Sequence, residues 1–121
     1  GTVCPCMIKT DLVTVAQMPT FLETAERVFA PEEIDEIVDY LAAHPEAGDV
    51  IQATGGVRKL RWRAKGKGKS GGARIIYYFH SPRMPLYLLA MYTKCEKADL
   101  TPADKRTLRQ LAASLQEWWL K

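Results

Sequence analysis

The hydrophobic period of this chain changes twice, and those changes limit what it can fold into. Apolar residues recur at helical spacing from Phe21 to Leu41, follow strand patterns from Val57 to Thr93, and return to helical spacing from Leu108 to Trp118. Phe21, Ala25, Val28 and Phe29 share one face of a first helix, which Thr20-Phe-Leu-Glu23 opens as a capping box. Pro31 suits the first position of a second helix, in which Ile34, Ile37, Val38 and Leu41 form the apolar stripe. That helix ends before His44-Pro45, because the residue preceding a proline avoids the helical region. Thr101-Pro-Ala-Asp104 starts a third helix with Leu108, Leu111, Ala112, Leu115 and Trp118 on one side.

Strands fill the remainder. Residues 11–15 are short and β-prone, Gly48-Asp-Val-Ile-Gln can start a strand, and Gly55-Gly56 marks a turn. Residues 57–63 alternate, 65–72 form a glycine-rich loop, 73–80 are strongly β-prone, and 86–93 are apolar on both faces, as in a central strand. The order β-α-α-β-β-β-α predicts an α+β domain: an antiparallel-dominated twisted sheet of four to five strands, two N-terminal helices and one C-terminal helix, with the helices grouped on one face. At 121 residues one core suffices. Residues 1–13 read as an N-terminal extension that can hold the first strand, and 14–121 as the single domain.

No apolar run approaches the roughly 20 residues that span a bilayer, and the first residues lack a basic-then-apolar signal pattern. The expected location is the cytoplasm. Cys4, Cys6 and Cys95, with only His44 and His80 as further soft ligands, are too scattered for a four-ligand zinc site and read as free thiols. No metal or cofactor is expected.

Charge is segregated. Between Val50 and Cys95 stand ten Lys or Arg and no Asp or Glu, while the flanks hold all 14 acids and seven bases. Such a field concentrates a polyanion, most often a nucleic acid. Alternation puts Lys59, Arg61 and Arg63 on one face of their strand, with Leu60 and Trp62 on the other. On the next strand Ala73, Ile75, Tyr77 and Phe79 make an apolar face, and Arg74, Ile76 and Tyr78 face the opposite way. A hairpin in matching register would gather Lys59, Arg61, Arg63 and Arg74 beside a tyrosine. Arg58, Lys65, Lys67 and Lys69 add RNA-steering charge, and the loop lysines read equally well as a solvated hairpin. The loop fails the P-loop pattern and precedes a strand instead of a helix.

No Ser-His-Asp or Cys-His set is present, and no paired carboxylates sit near the basic face. A cation cluster can still cleave RNA by stabilising the charge that builds on a phosphate as the 2′-hydroxyl attacks. A lysine crowded by like charges is a candidate base, and a second protonated group can donate to the leaving 5′-oxygen. Charge alone leaves RNA binding and RNA cleavage equally open.

The strings from Gly48 through Arg58-Lys-Leu-Arg-Trp-Arg63 to Ala73-Arg-Ile-Ile-Tyr-Tyr-Phe79, then Leu86-Tyr-Leu-Leu-Ala-Met-Tyr-Thr-Lys-Cys-Glu-Lys-Ala-Asp-Leu-Thr101, closely resemble the HigB branch of the RelE-like toxins. Element order agrees from about Pro19 to Leu115, and the residues before about Thr14 are not covered. The resemblance implies a RelE/ParE-like fold and a ribosome-dependent endoribonuclease that cuts translated messenger RNA without metal. It implies a HigA-like helix-turn-helix antitoxin, through which the pair binds operator DNA. By position it assigns catalytic roles to Lys59, Arg61, Arg74 and Lys94. Cys95 replaces the second cation of the pair ending the last strand. The tyrosine expected near Thr101 is missing, and Tyr78 or Tyr92 substitutes only by pointing to the basic face. Glu96 is a weaker candidate base, and Trp118-Trp119 reads as core packing with one exposed ring, or as an antitoxin contact.

Two other functions share these features. A non-catalytic RNA- or ribosome-binding protein would use the same patch and leave no new RNA ends. A gyrase-directed toxin on the same fold would act on a protein, against which the strand cations argue.

Overall fold

A computed structural model describes residues 12–62, 72–93 and 99–120. Its elements are β1 (Val15–Gln17), α1 (Pro19–Val28), α2 (Pro31–Ala43), β2 (Asp49–Val50), β3 (Val57–Trp62), β4 (Ala73–Tyr78), β5 (Leu86–Thr93) and α3 (Pro102–Trp119). The strands form one sheet in the order β1-β5-β4-β3-β2. β1 runs parallel to β5, with Val15 opposite Leu86, and the other pairs are antiparallel.

β4 lies at the centre and all six of its residues are buried. Because it is apolar on both sides, both need a cover. Phe21, Ala25, Ile37 and Leu41 of α1 and α2 pack over Ile75, Tyr77, Leu86 and Leu88, while Leu108 and Ala112 of α3 pack over Val57, Ile76, Tyr78 and Leu89. The helices therefore divide between the two faces, correcting the expectation that they group on one.

Local signals set most boundaries. α2 begins with Pro31 and ends at Ala43, capped by His44, as the proline positions require. α3 opens with a reciprocal box: Asp104 N–H donates to Thr101 Oγ1 at 3.1 Å and Thr101 N–H to Asp104 Oδ2 at 3.0 Å. The box expected at Thr20 does not form. Pro19 already occupies the first turn, Met18 is the N-cap without a side-chain bond, and the Thr20 hydroxyl donates instead to the Leu89 carbonyl of β5.

The turn before β3 is held from inside. Thr54, fully buried, donates its hydroxyl to the Ile51 carbonyl at 2.6 Å and accepts the Val57 N–H at 3.2 Å. Gly55 and Gly56 take φ of 76° and 114°, where a Cβ is strained.

One irregularity decides which side chains share a face. Ile76 pairs with Ala90 but Tyr77 pairs with Leu88, so Leu89 is an extra residue in β5. A one-residue shift reverses the facing of everything beyond it. With the bulge, Tyr92 lies opposite Arg74 on the α3 side; strict alternation from Leu86 and Leu88 would have turned it toward α1 and α2. The Thr20 hydroxyl bonds the carbonyl of the bulged residue itself.

Candidate functional site

On the α3 side of the sheet, Arg61 of β3 pairs with Arg74 of β4, and Arg74 with Tyr92 of β5. This three-strand row lies at the end of the sheet from which α3 starts. Lys59 is two residues from Arg61 on the same face, opposite Ile76. The register thus brings Lys59, Arg61, Arg74 and Tyr92 together. Arg61 is exposed, Lys59 half-buried, and Arg74 only 8% exposed. A cleft of about 320 Å³ opens beside the row, lined by Ile76, Ala90 and Tyr92 from the sheet and by Leu100, Asp104 and Thr107.

Carboxylates reach this face from outside the acid-free stretch, contrary to expectation. Asp49 of the edge strand lies directly opposite Lys59. Asp99, just ahead of α3, sets Oδ1 3.5 Å from Lys59 Nζ and accepts its neighbour Leu100's N–H at 2.8 Å. That N–H first, and Lys59 second, hold the Asp99 carboxyl below its usual range. Lys59 therefore faces a carboxylate as well as the neighbouring cations. The pair is open to solvent, with side chains 35% and 68% exposed, so it adds at most about 1 kcal/mol to stability. Sequence patterning missed Asp99 because it stands 40 residues from Lys59; the usable signal was its position between the last strand and a capping box.

Burial raises the Tyr92 hydroxyl above the ordinary tyrosine pKa, the nearby Asp99 carboxylate adds to the rise, and Arg74 opposes it. Tyr92 is therefore a protonated hydroxyl at neutral pH, able to donate. Tyr78 shares this face but is closed beneath α3, where its hydroxyl donates to Gln116 Oε1 at 3.2 Å, and burial raises its pKa. It does not reach the row.

Arg58 points the other way. Its Nη1 donates to the carbonyls of Glu46 at 3.2 Å and Gly48 at 2.7 Å, so the guanidinium clamps the segment before β2 instead of joining the cations. Strand alternation forces this, since Arg58 is one residue from Lys59. Trp62 shares that side and donates Nε1–H to Glu33 at 3.1 Å. Arg63, Lys65, Lys67, Lys69, Lys94, Cys95 and Glu96, like Cys4 and Cys6, lie outside the described residues.

Trp118 is not core. It is 71% exposed near the end of α3, and the partly exposed Trp119 donates Nε1–H to the Tyr87 hydroxyl at 2.8 Å. Among the described residues, no three His, Cys, Asp or Glu converge as metal ligands, and no helix is long and apolar enough to cross a membrane.

A mixed sheet covered by two helices on one face and one on the other defines a small α+β domain, with a basic row at the end of its sheet where the third helix starts. Its architecture is similar to that of the E. coli toxin RelE, solved in the free state as a double mutant: TM-score 0.53, 12% identity, 72% of this chain and 88% of that one covered. Residues 32–120 match the family described as "RelE toxin of RelE / RelB toxin-antitoxin system". The chain belongs to this RelE toxin family and is a toxin of the toxin–antitoxin kind.

Proposed function

We propose that this toxin is a ribosome-dependent endoribonuclease of the HigB type, cutting messenger RNA during translation. The Arg61–Arg74–Tyr92 row with Lys59 beside it supports this reading most directly. Two guanidinium groups on adjacent strands form a planar-donor clamp for the two non-bridging oxygens of one phosphate. As the 2′-hydroxyl attacks, its oxygen bonds to phosphorus and its proton passes to a base, while the bond to the 5′-oxygen breaks and that oxygen takes up a proton. Negative charge peaks on the phosphate between these events. Fixed cations, with Arg74 already withdrawn from water, are worth most there. Tyr92 donates its hydroxyl hydrogen to an oxygen of the phosphate held by that row.

The reaction so drawn uses side chains alone, without metal or cofactor. Lys94 and the loop cations Arg63, Lys65, Lys67 and Lys69 belong to the same proposal as catalytic and RNA-steering groups. Neutralisation is assigned to a HigA-like helix-turn-helix antitoxin, through which the pair would contact operator DNA. The setting is the cytoplasm.

Expression with and without a translatable start codon on a reporter transcript tests the proposal. Primer extension is expected to show new 5′ ends only on the translated transcript. Equal cleavage of both would remove the ribosome from the account, and growth arrest with DNA damage but intact transcripts would indicate a protein target.

A further inference from the structure

Lys59, Arg61 and Arg74 gather on one face of the sheet, yet Lys59 is met there by a carboxylate. Asp99 Oδ1 lies 3.5 Å from Lys59 Nζ, close enough for an ion pair and too long for a strong hydrogen bond. The Asp99 carboxylate does not depend on Lys59 for its placement. The Leu100 N–H anchors it at 2.8 Å, the Thr101–Asp104 box fixes the chain immediately after it, and Lys105 adds positive charge nearby. It thus presents to Lys59, at fixed position, a small oxyanion of the kind a phosphate oxygen would present. The pair's exposure means that a phosphate can displace it at little cost.

We propose that Asp99 is a positioning residue acting through Lys59: in the free protein its carboxylate holds the lysine beside the Arg61–Arg74–Tyr92 row and occupies the place an RNA phosphate takes on binding. This rests on the proposal that the row binds RNA. The carboxylate keeps Lys59 extended over the site and lowers the attraction of the face for RNA in general. An RNA must supply enough contacts elsewhere to replace it. Asp99 is therefore a discrimination device, set against loose single-stranded RNA.

The test measures affinity for a single-stranded oligoribonucleotide that is 2′-O-methylated throughout, so that it cannot be cleaved, by fluorescence anisotropy across a salt series. Asp99→Asn keeps an oxygen for the Leu100 N–H and removes the charge; Asp99→Ser, retaining a smaller acceptor, is the second variant. Each is expected to add one net positive charge to the interface and so steepen the salt slope by about 0.7 log units per tenfold salt. Referred to 1 M salt, the same slope corresponds to about fivefold tighter binding at 0.1 M. A purely structural role for Asp99 would shift the melting temperature without moving this slope. Lys59→Ala is measured in parallel and should flatten the slope by a similar amount. If Lys59→Ala flattens the slope while both Asp99 variants bind like wild type or more weakly, the role of Asp99 is overturned. If Lys59→Ala leaves slope and affinity unchanged, the RNA-binding reading of the face falls instead.

Discussion

Gly48 packs against the strand that carries Lys59 and Arg61, and Gly48→Ala is the most demanding check on that packing. A Cβ built there lies 2.9 Å from the Lys59 carbonyl oxygen and 2.9 Å from Tyr77 Cε1, with the Tyr77 hydroxyl at 3.0 Å. Neither neighbour yields easily, since one is β3 backbone and the other a fully buried ring. Overpacking of this kind costs about 1–3 kcal/mol. The Gly48 N–H also donates to the Tyr77 hydroxyl at 2.8 Å, and loosening that bond adds about 1 kcal/mol. The stiffer alanine chain in the unfolded state offsets about 0.4–1 kcal/mol. The net loss is then about 1–3.6 kcal/mol, which in a domain of this size lowers the melting temperature by roughly 4–14 °C. Thermal unfolding followed by circular dichroism reads it directly. Tyr77→Phe is the companion variant: it removes only the hydroxyl and leaves the glycine N–H buried without its acceptor, at a cost of about 1–3 kcal/mol. If Gly48→Ala melts within about 2 °C of wild type while Tyr77→Phe is destabilised as expected, the close contact with β3 has been misjudged.

Other outcomes follow from the same geometry. Thr20→Val keeps the shape of the side chain but removes the bond to the bulged Leu89 carbonyl; it should cost about 1 kcal/mol and lower RNA cleavage by loosening Tyr92, whereas unchanged cleavage would detach the bulge from the site. Burial raises the hydroxyls of Tyr77, Tyr78 and Tyr92, so their stabilising effect is complete below the unfolded value of about 10 and is lost as pH rises through the folded values. Spectrophotometric titration should accordingly find tyrosines ionising above pH 10 and alkaline unfolding with them, and free titration of all five tyrosines at the ordinary value would contradict the packing. Trp118→Ser should leave stability within about 0.5 kcal/mol, since the ring is largely in water; a larger loss in denaturant titration would place it in the core after all.

The architecture was readable wherever a local signal acts alone. Proline at helix starts, the Thr101–Asp104 box and the His44-Pro45 stop all work within a few residues, and the structure follows them. Thr20 misled because two start signals overlap, and Pro19 prevails by coming first. Strand alternation correctly separated Lys59 and Arg61 from Leu60 and Trp62, and the register then set Arg74 opposite Arg61. It equally placed Arg58 on the wrong face for the row, a consequence of the same period that grouping by charge concealed. Two features could not be seen. The bulge at Leu89 leaves no mark in a continuous apolar run, yet it alone brings Tyr92 to the cations. The Asp99–Lys59 contact joins residues 40 apart, which no local pattern reports.

The central claim is that the strand cations act on a phosphate while RNA is cut, and Arg74 tests it most directly. Arg74 is the middle member of the row, flanked by Arg61 and Tyr92. In a reconstituted translation system with ribosomes stalled on a defined transcript, single-turnover cleavage by wild type is compared with that by Arg74→Ala and Arg74→Lys, each first shown to melt as a folded protein. Removing one preformed charge partner of the reacting phosphate should slow cleavage by about 10²–10³-fold, with lysine restoring only part because it lacks the planar fork. Cleavage by folded Arg74→Ala at the wild-type rate would contradict the account.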